Sequence, residues 1–522
     1  MALYFLKKAN GKSFKLKKLF FNLFWLFAIA FSAHKIYRLF SISLVPEVDY
    51  SVCSFYHYIT NNYYFLCLTG ISVIVVFYCF FFKKLKWRDF DYRIKIISHT
   101  CVLLLAWNYI FYDYNYFLNH WDLFDRLLMF ITVLLAIYNP AFLILVVIQS
   151  LVVSQQFQYP LFFDYSFTDK SIVFSIIIIV WLFAIVKSNI YKALPEYLFF
   201  IIVLGIICNW YWLAGLGKLE INWVEKNKLY KLYMVTLDYN WLYSFEWETK
   251  RHLGEFLKTY NNAIQIATII VELVFSFIIL LHKRISIFVL VSFVIFHFSV
   301  FFTSGIFFWK WIVVEIVVIF CFLKYKDLWL KENRKQVLLS YFTFLITMHF
   351  YASTTKLSWF DSGIYNKYEF KAKNNLGEIF NLEPSFFAPY DLNFAQNRFD
   401  FVNDDKIITS TFGSTLDEKV LTFNDESEIL KYANSNGKSK YNAQKKENLI
   451  IFVNAFVNNR QQHSRLDLPN APAHIWQGKS ESDAIFKHPL DSIFIIKKFR
   501  YVNDNMDFIE MDEDVIKFSL NK

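Results

Sequence analysis

Hydrophobic segments of about 18 residues or more, with few or no charges, recur along the first two thirds of this chain. That length matches the roughly 30 Å hydrocarbon core of a bilayer. In lipid every backbone polar group must be satisfied within the segment, so such runs are expected to be helices. The composition agrees: 56% of the residues are hydrophobic and 21% aromatic, with 62 Phe against 12 Gly and 9 Pro. No soluble core needs that much apolar surface.

Candidate spans cover about 19–44, 62–82, 96–112, 124–138, 139–154, 171–187, 197–214, 261–281, 285–303, 307–324 and 337–353. The expected fold is a polytopic α-helical membrane protein of about nine to eleven transmembrane helices. The stretch 124–154 reads either as one kinked helix or as a tight hairpin broken at Asn139-Pro140. Basic residues favour cytoplasmic loops. The hairpin alone places Lys83, Lys84, Lys86 and Arg88, Lys187 and Lys192, His282-Lys-Arg284 and the 324–335 loop on one side. The lysines before Leu19 resemble a signal-peptide start. The run after them is too long and lacks a small-residue cleavage site, so it reads as an uncleaved first span.

The N-terminus is then expected in the cytoplasm, and the region after about residue 353 on the extracytoplasmic side. The division is 1–353 transmembrane and 354–522 extracytoplasmic. The second part is expected to be β-rich, with Asn448–Phe456, Ser492–Val502 and Asp514–Leu520 as strands between Asn/Asp/Gly-rich turns. The Phe-, Ile-, Lys- and Asn-rich composition points to an AT-rich bacterial genome, hence to the cytoplasmic (inner) membrane. The net charge of +10 lies mainly in the membrane half, in short loops, which argues against nucleic-acid binding. The six cysteines lie in or beside hydrophobic runs and form no evident disulfide framework or zinc spacing. No metal is expected.

Five places carry candidate chemistry. Lys218 stands where the span 197–214 leaves the membrane. It is either a snorkelling anchor or, if desolvated, a general base. Gly215 and Gly217 just before it permit close approach of backbone or ligand, and Trp223 continues an interfacial pattern. Glu272 and His297 lie deep in consecutive spans, where ionisable side chains are costly unless paired or facing a cavity. A Glu272–His297 contact between antiparallel neighbours is possible, as is a purely structural hydrogen bond for each. Glu315 poses the same question. Asn119-His120 precedes the 124–138 span on the same expected face as Lys218.

The run Ala214-Gly-Leu-Gly-Lys-Leu-Glu-Ile-Asn-Trp-Val-Glu225 resembles the Ala-Gly-x-x-Lys-Leu-x-x-x-Trp motif of vitamin K-dependent γ-glutamyl carboxylases, within the horizontally transferred transmembrane (HTTM) group. Glu272 matches an acidic residue in that family's next span. His297 followed by Gly305-Ile-Phe307 resembles its His and Gly-x-Phe, and Asn119-His120 its Asn-His motif. The resemblance covers about residues 15–325, and Gly217 stands where animal carboxylases have a second lysine. It implies a reduced quinone of the menaquinone or vitamin K type as cofactor, with Lys218 as the base toward it. His120, His297 and Glu272 would stabilise charge or orient reactants. Asn119, Gly215, Gly217, Trp223 and Gly305 would shape the cofactor site. It also implies modification of an exported protein or peptide. The alternative is a non-catalytic membrane scaffold or maturation partner that binds an exported protein through its C-terminal domain.

Overall fold

The computed structural model describes residues 2–44, 54–111, 122–156, 168–351, 358–387, 394, 402–403, 413–423, 425–436, 440–462 and 488–520. The helices of the first part are α1 (Ala2–Ser43), α2 (Ser54–Asn61), α3 (Tyr63–Phe77), α4 (Tyr92–Phe111), α5 (Asp122–Tyr138), α6 (Leu143–Gln156), α7 (Thr168–Ile185) and α8 (Tyr197–Glu220). They continue as α9 (Trp223–Lys226), α10 (Leu229–Asp238), α11 (Trp247–Thr259), α12 (Asn261–Ile269), α13 (Phe275–Ile278), α14 (Lys283–Ser304), α15 (Trp309–Lys324) and α16 (Lys331–Tyr351). Six stretches among the described residues are long and apolar enough to cross a membrane: Leu19–Ile42, Tyr63–Phe82, Ser171–Ile190, Tyr197–Glu220, Asn261–Ile278 and Lys283–Ser304.

Their packing explains the composition. α8 is buried nearly throughout, whereas α3, α12 and α14 turn large apolar side chains outward. Ile74, Phe82, Phe288, Ile295 and Phe302 are all exposed. An exposed apolar surface of this extent is what a bilayer environment calls for.

α5 and α6 are two helices packed on each other. Asn139 between them is extended (φ −146°, ψ 129°), and Pro140 opens a short 3-10 turn, Pro140–Phe142. Proline starts a helix readily but cannot continue one, because it lacks the N–H. The Asn139 side-chain oxygen accepts from Ala141 N at 2.9 Å, and its amide donates to Leu85 O at 2.5 Å. Trp87 Nε1 donates to Ala136 O at 3.1 Å. These bonds fasten the break to the basic 83–88 turn. Other basic connections meet at the same end of the bundle. Glu196 accepts from Asp91 N at 3.3 Å and pairs with Lys187. Arg93 lies 5.4 Å over the Tyr325 ring, and Arg334 donates to Leu281 O at 2.8 Å.

The C-terminal part is built on a sheet. Its strands are β1 (Phe360–Asp361), β2 (Ile364–Asn374), β3 (Ile379–Leu382), β4 (Val402–Asn403), β5 (Ser414–Thr415), β6 (Lys440–Tyr441), β7 (Leu490–Val502) and β8 (Phe508–Ser519). Four of them form an antiparallel sheet in the order β3-β2-β7-β8, and β1-β5 and β4-β6 are short pairs. The expected strands at 492–502 and 514–520 fall in β7 and β8. Asn448–Phe456, expected as a strand, is helical. It lies in the second of two helices, α17 (Glu426–Asn436) and α18 (Ala443–Gln462). The reason is periodicity: Leu449, Phe452, Val453, Phe456 and Val457 are the buried positions, the three-and-four spacing of one helix face. Phe452 and Phe456 pack with Phe386, Phe387 and Phe394, and Phe387 and Phe394 meet Phe370 of β2. The C-terminal part is thus a sheet covered by helix, less β-rich than its composition implies.

The other face of β2 and β7 is charged and meets the 229–259 region. Asp238, at the end of α10, accepts two bonds from Arg500 Nη1 (2.6 and 2.7 Å), one from Tyr365 Oη (2.6 Å) and one from Lys367 Nζ (3.3 Å). Burial opposes the charge on Asp238, but Lys367, Tyr365 and Arg500 outweigh it and hold the carboxyl below its usual range. Tyr233, Met234 and Val235 of α10 pack with Tyr365, Val502 and Met506 around this polar centre.

Candidate functional site

A cavity of about 600 Å³ lies between α8, the α12–α13 stretch, α14 and α15, and residues of the C-terminal part close one end. Most of its wall is apolar, including Phe275, Phe288, Phe296, Ile295 and Trp311. Phe288, Ile295 and Ser299 are also exposed on α14, so the cavity reaches the outer, largely apolar surface between α12 and α14.

Lys218 occupies the last turn of α8 and lines this cavity. Its Nζ donates to Glu272 Oε1 at 2.6 Å and lies 5.5 Å over the Trp223 ring. The side chain is 13% exposed, so its end is held against the protein rather than extended away from it. Two local features make the pair. Ile270–Val274 is a π turn between α12 and α13, and Glu272 is its middle residue. Such a turn inserts one residue into the helix and re-aims the side chains around it. Opposite it, a Cβ on Gly215 would stand 2.7 Å from Leu273 Cδ2 and 3.0 Å from Glu272 Cβ. Glycine is what allows α8 to approach the π turn this closely. After α8, Asn222 takes a left-handed conformation (φ 54°) and turns the chain so that Trp223 is buried on the cavity wall.

His297 also lines the cavity, on α14. The possible Glu272–His297 contact is replaced by two separate pairings. Glu272 is bonded to Lys218, while His297 Nε2 stands 3.4 Å from Glu315 Oε1 without hydrogen-bond alignment. Glu315, fully buried, accepts from Tyr211 Oη at 2.7 Å. Tyr211 is stacked on Phe293 with centroids 3.9 Å apart. Glu272 Oε2 and both ring nitrogens of His297 have no hydrogen-bond partner among the described residues. A buried acceptor left in that condition is costly, so the cavity suits a molecule that brings donors to this wall.

Lys218, Glu272, His297 and Trp223 therefore meet at one cavity. Gly215 serves the helix contact behind it, Gly217 is buried within α8, and Gly305 (φ 68°) caps α14 at its turn into α15. Asn119 and His120 lie outside the described residues. Among the described residues no group of three His, Cys, Asp or Glu is placed to hold a metal ion.

Sequence reasoning missed Tyr211 and, above all, Asp361. Asp361 of β1 is 3% exposed and lines the cavity from the C-terminal side. Its N–H donates to Asn227 Oδ1 at 2.7 Å, and its Oδ2 accepts from Asn227 Nδ2 at 2.8 Å. Burial pushes its carboxyl up to about 7, against the opposing pull of Asn227 and of the nearby Lys218 charge. A lone Asp in Trp-Phe-Asp, far along the chain from Lys218, Glu272 and His297, carries no local motif; only the fold brings it here.

Comparison of the chain with protein-family models, curated proteins and solved structures finds no match.

Proposed function

We propose that the chain is an integral membrane enzyme of the carboxylase-like kind, acting on a lipid-borne reduced quinone to modify an exported protein or peptide. One observation carries this reading. A lysine and a glutamate are hydrogen-bonded in the wall of an apolar cavity that reaches the lipid-facing surface. A lipid-soluble molecule enters such a site laterally, and the apolar wall strengthens charge interactions there by excluding water.

A reduced quinone fits the groups present, because its hydroxyls are donors and Glu272, a residue of the cavity wall, keeps a buried oxygen, Oε2, without a hydrogen-bond partner among the described residues. When bound, it supplies a hydroxyl proton and two reducing equivalents, which the carboxylase resemblance directs to dioxygen and so to a base strong enough for a glutamate γ-proton. The chain's own part is narrower. Lys218 Nζ, as the base, takes the hydroxyl proton, and the ammonium so formed is held by Glu272 Oε1 beside the oxygen that lost it. His297 orients the head group, and Trp223 covers it. In a scaffold this pair would be only an interhelical staple, which would not need the second Glu272 oxygen left buried without a partner.

The proposed sidedness is supported by the basic connections that share one end of the bundle. α1, α3 to α8, α12–α13, α14, α15 and α16 each cross, the basic end faces the cytoplasm, and the C-terminal part lies outside. The test uses the full chain in nanodiscs with chemically reduced menaquinone and follows oxygen uptake. Lys218→Met should lower the rate by about 100-fold or more, the scale of lost general-base catalysis, with abundance and elution profile kept. Equal uptake in the variant, or none in the wild type, would overturn the reading.

A further inference from the structure

We propose that Asp361 is the second acceptor for the substrate's head group, so that the C-terminal part completes the membrane cavity rather than only presenting a partner to it. This rests on the reading of the cavity given above.

The clamp on Asp361 uses only half of its carboxylate. Asn227 holds its N–H and Oδ2, and Asn227 is itself fixed, its carbonyl accepting from Gln265 Nε2 at 2.6 Å and Asn261 Nδ2 at 3.0 Å. β1 is thereby tied to α12 and to the start of α10, and Asp361 has one permitted position. Its Oδ1 is buried without a hydrogen-bond partner among the described residues. A staple between β1 and Asn227 needs one oxygen; the other is a burial cost unless a donor meets it. Among charged groups on the neighbouring elements, Lys218 acts on Asp361 through space, Lys226 pairs with Glu418 and Lys231 with Asp504. The cavity wall thus holds the Lys218 amine bonded to one carboxylate from the π turn and, not bonded to it, a second carboxylate from β1, each with an oxygen that lacks a partner among the described residues. That arrangement takes a hydroxyl-bearing aromatic or similar lipid-soluble donor and disfavours its ether.

The probe is a 4-alkylphenol brominated on its alkyl chain, compared with its methyl ether. Binding to the full chain in nanodiscs is read by quenching of tryptophan fluorescence. The wild type should prefer the phenol, and Asp361→Asn should shrink the phenol-to-ether ratio roughly tenfold or more, the size of a hydrogen bond to a charged group. Wild-type affinity for the phenol should also rise as pH rises through about 7, where Asp361 ionises, and the variant should lack that step. A ratio unchanged in Asp361→Asn overturns the assignment while the cavity reading stands. No binding of either probe by the wild type overturns both. If the variant does not fold, a wild-type phenol affinity flat through pH 7 overturns it alone.

Discussion

Asp238 offers the sharpest test of how the two parts are joined. Asp238→Ala removes the acceptor for Arg500, Tyr365 and Lys367 at a nearly buried site. Breaking one partner out of a buried ion pair costs about 3–5 kcal/mol. The lower edge applies here, since Arg500 keeps Glu510 at 3.0 Å and Lys367 keeps Glu369 at 3.5 Å. About 3 kcal/mol corresponds to a shift on the order of 100-fold in the docked-to-undocked ratio. Limited trypsin digestion of the full chain in nanodiscs reads that ratio, because cleavage follows the open population when reclosing is fast. The C-terminal part should be cut on the order of 100-fold faster in the variant. Glu510→Ala serves as the control: its side chain is 39% exposed, and such pairs are worth about 1 kcal/mol at most. Cleavage of Asp238→Ala within about threefold of wild type, under 1 kcal/mol, would refute the claim that Asp238 holds the sheet to α10.

The same centre sets an acid limit. A carboxyl held below its usual range stabilises the folded state above its unfolded pKa and loses that stabilisation as pH falls through the folded value. Pepsin sensitivity of the C-terminal part should therefore begin only below about pH 4, and Asp238→Asn should remove that onset. Gly215→Ala puts a methyl group against Leu273 and Glu272; overpacking of this kind costs about 1–3 kcal/mol. It should lower thermal stability in nanodiscs and reduce oxygen uptake, and an unchanged melting curve would argue against the close approach. A reporter fused after Ser353 should score extracytoplasmic; a cytoplasmic score would overturn the proposed sidedness.

The helices were legible because their signal is local. Apolar runs of membrane length and an Asn-Pro break act within a few residues. β7 and β8 were legible for the same reason, by composition between turn residues. The misreading at 448–456 came from weighing β-branched content above the spacing of Leu449, Phe452 and Phe456, the residues that decide which side faces the core. Lys218, Glu272 and His297 stood out because charge in an apolar run is costly wherever it falls. Their pairing did not, since a π turn at 270–274 redirects Glu272 toward α8, and helical periodicity alone does not register an inserted residue. Asp361 was invisible because an Asp in a polar region is ordinary, and its burial depends on contacts with Asn227, far away in the sequence.

The order of strands in the sheet has a consequence for how the protein is made. β2, which follows β1 and Asp361 within a few residues, takes β7 as its long antiparallel partner, and β7 begins only at Leu490. Every helix of the bundle precedes that strand in the chain. During synthesis the Lys218–Glu272 pair can form as soon as α13 is in place. Asp361 itself is held by Asn227 and by β5, both earlier in the chain than β7, but the β2–β7 ladder behind its wall of the cavity closes only after nearly the whole polypeptide has emerged. Long-range pairing of this kind is intrinsically slow. A nascent chain therefore carries the Lys218–Glu272 wall before the sheet that backs the Asp361 wall is complete.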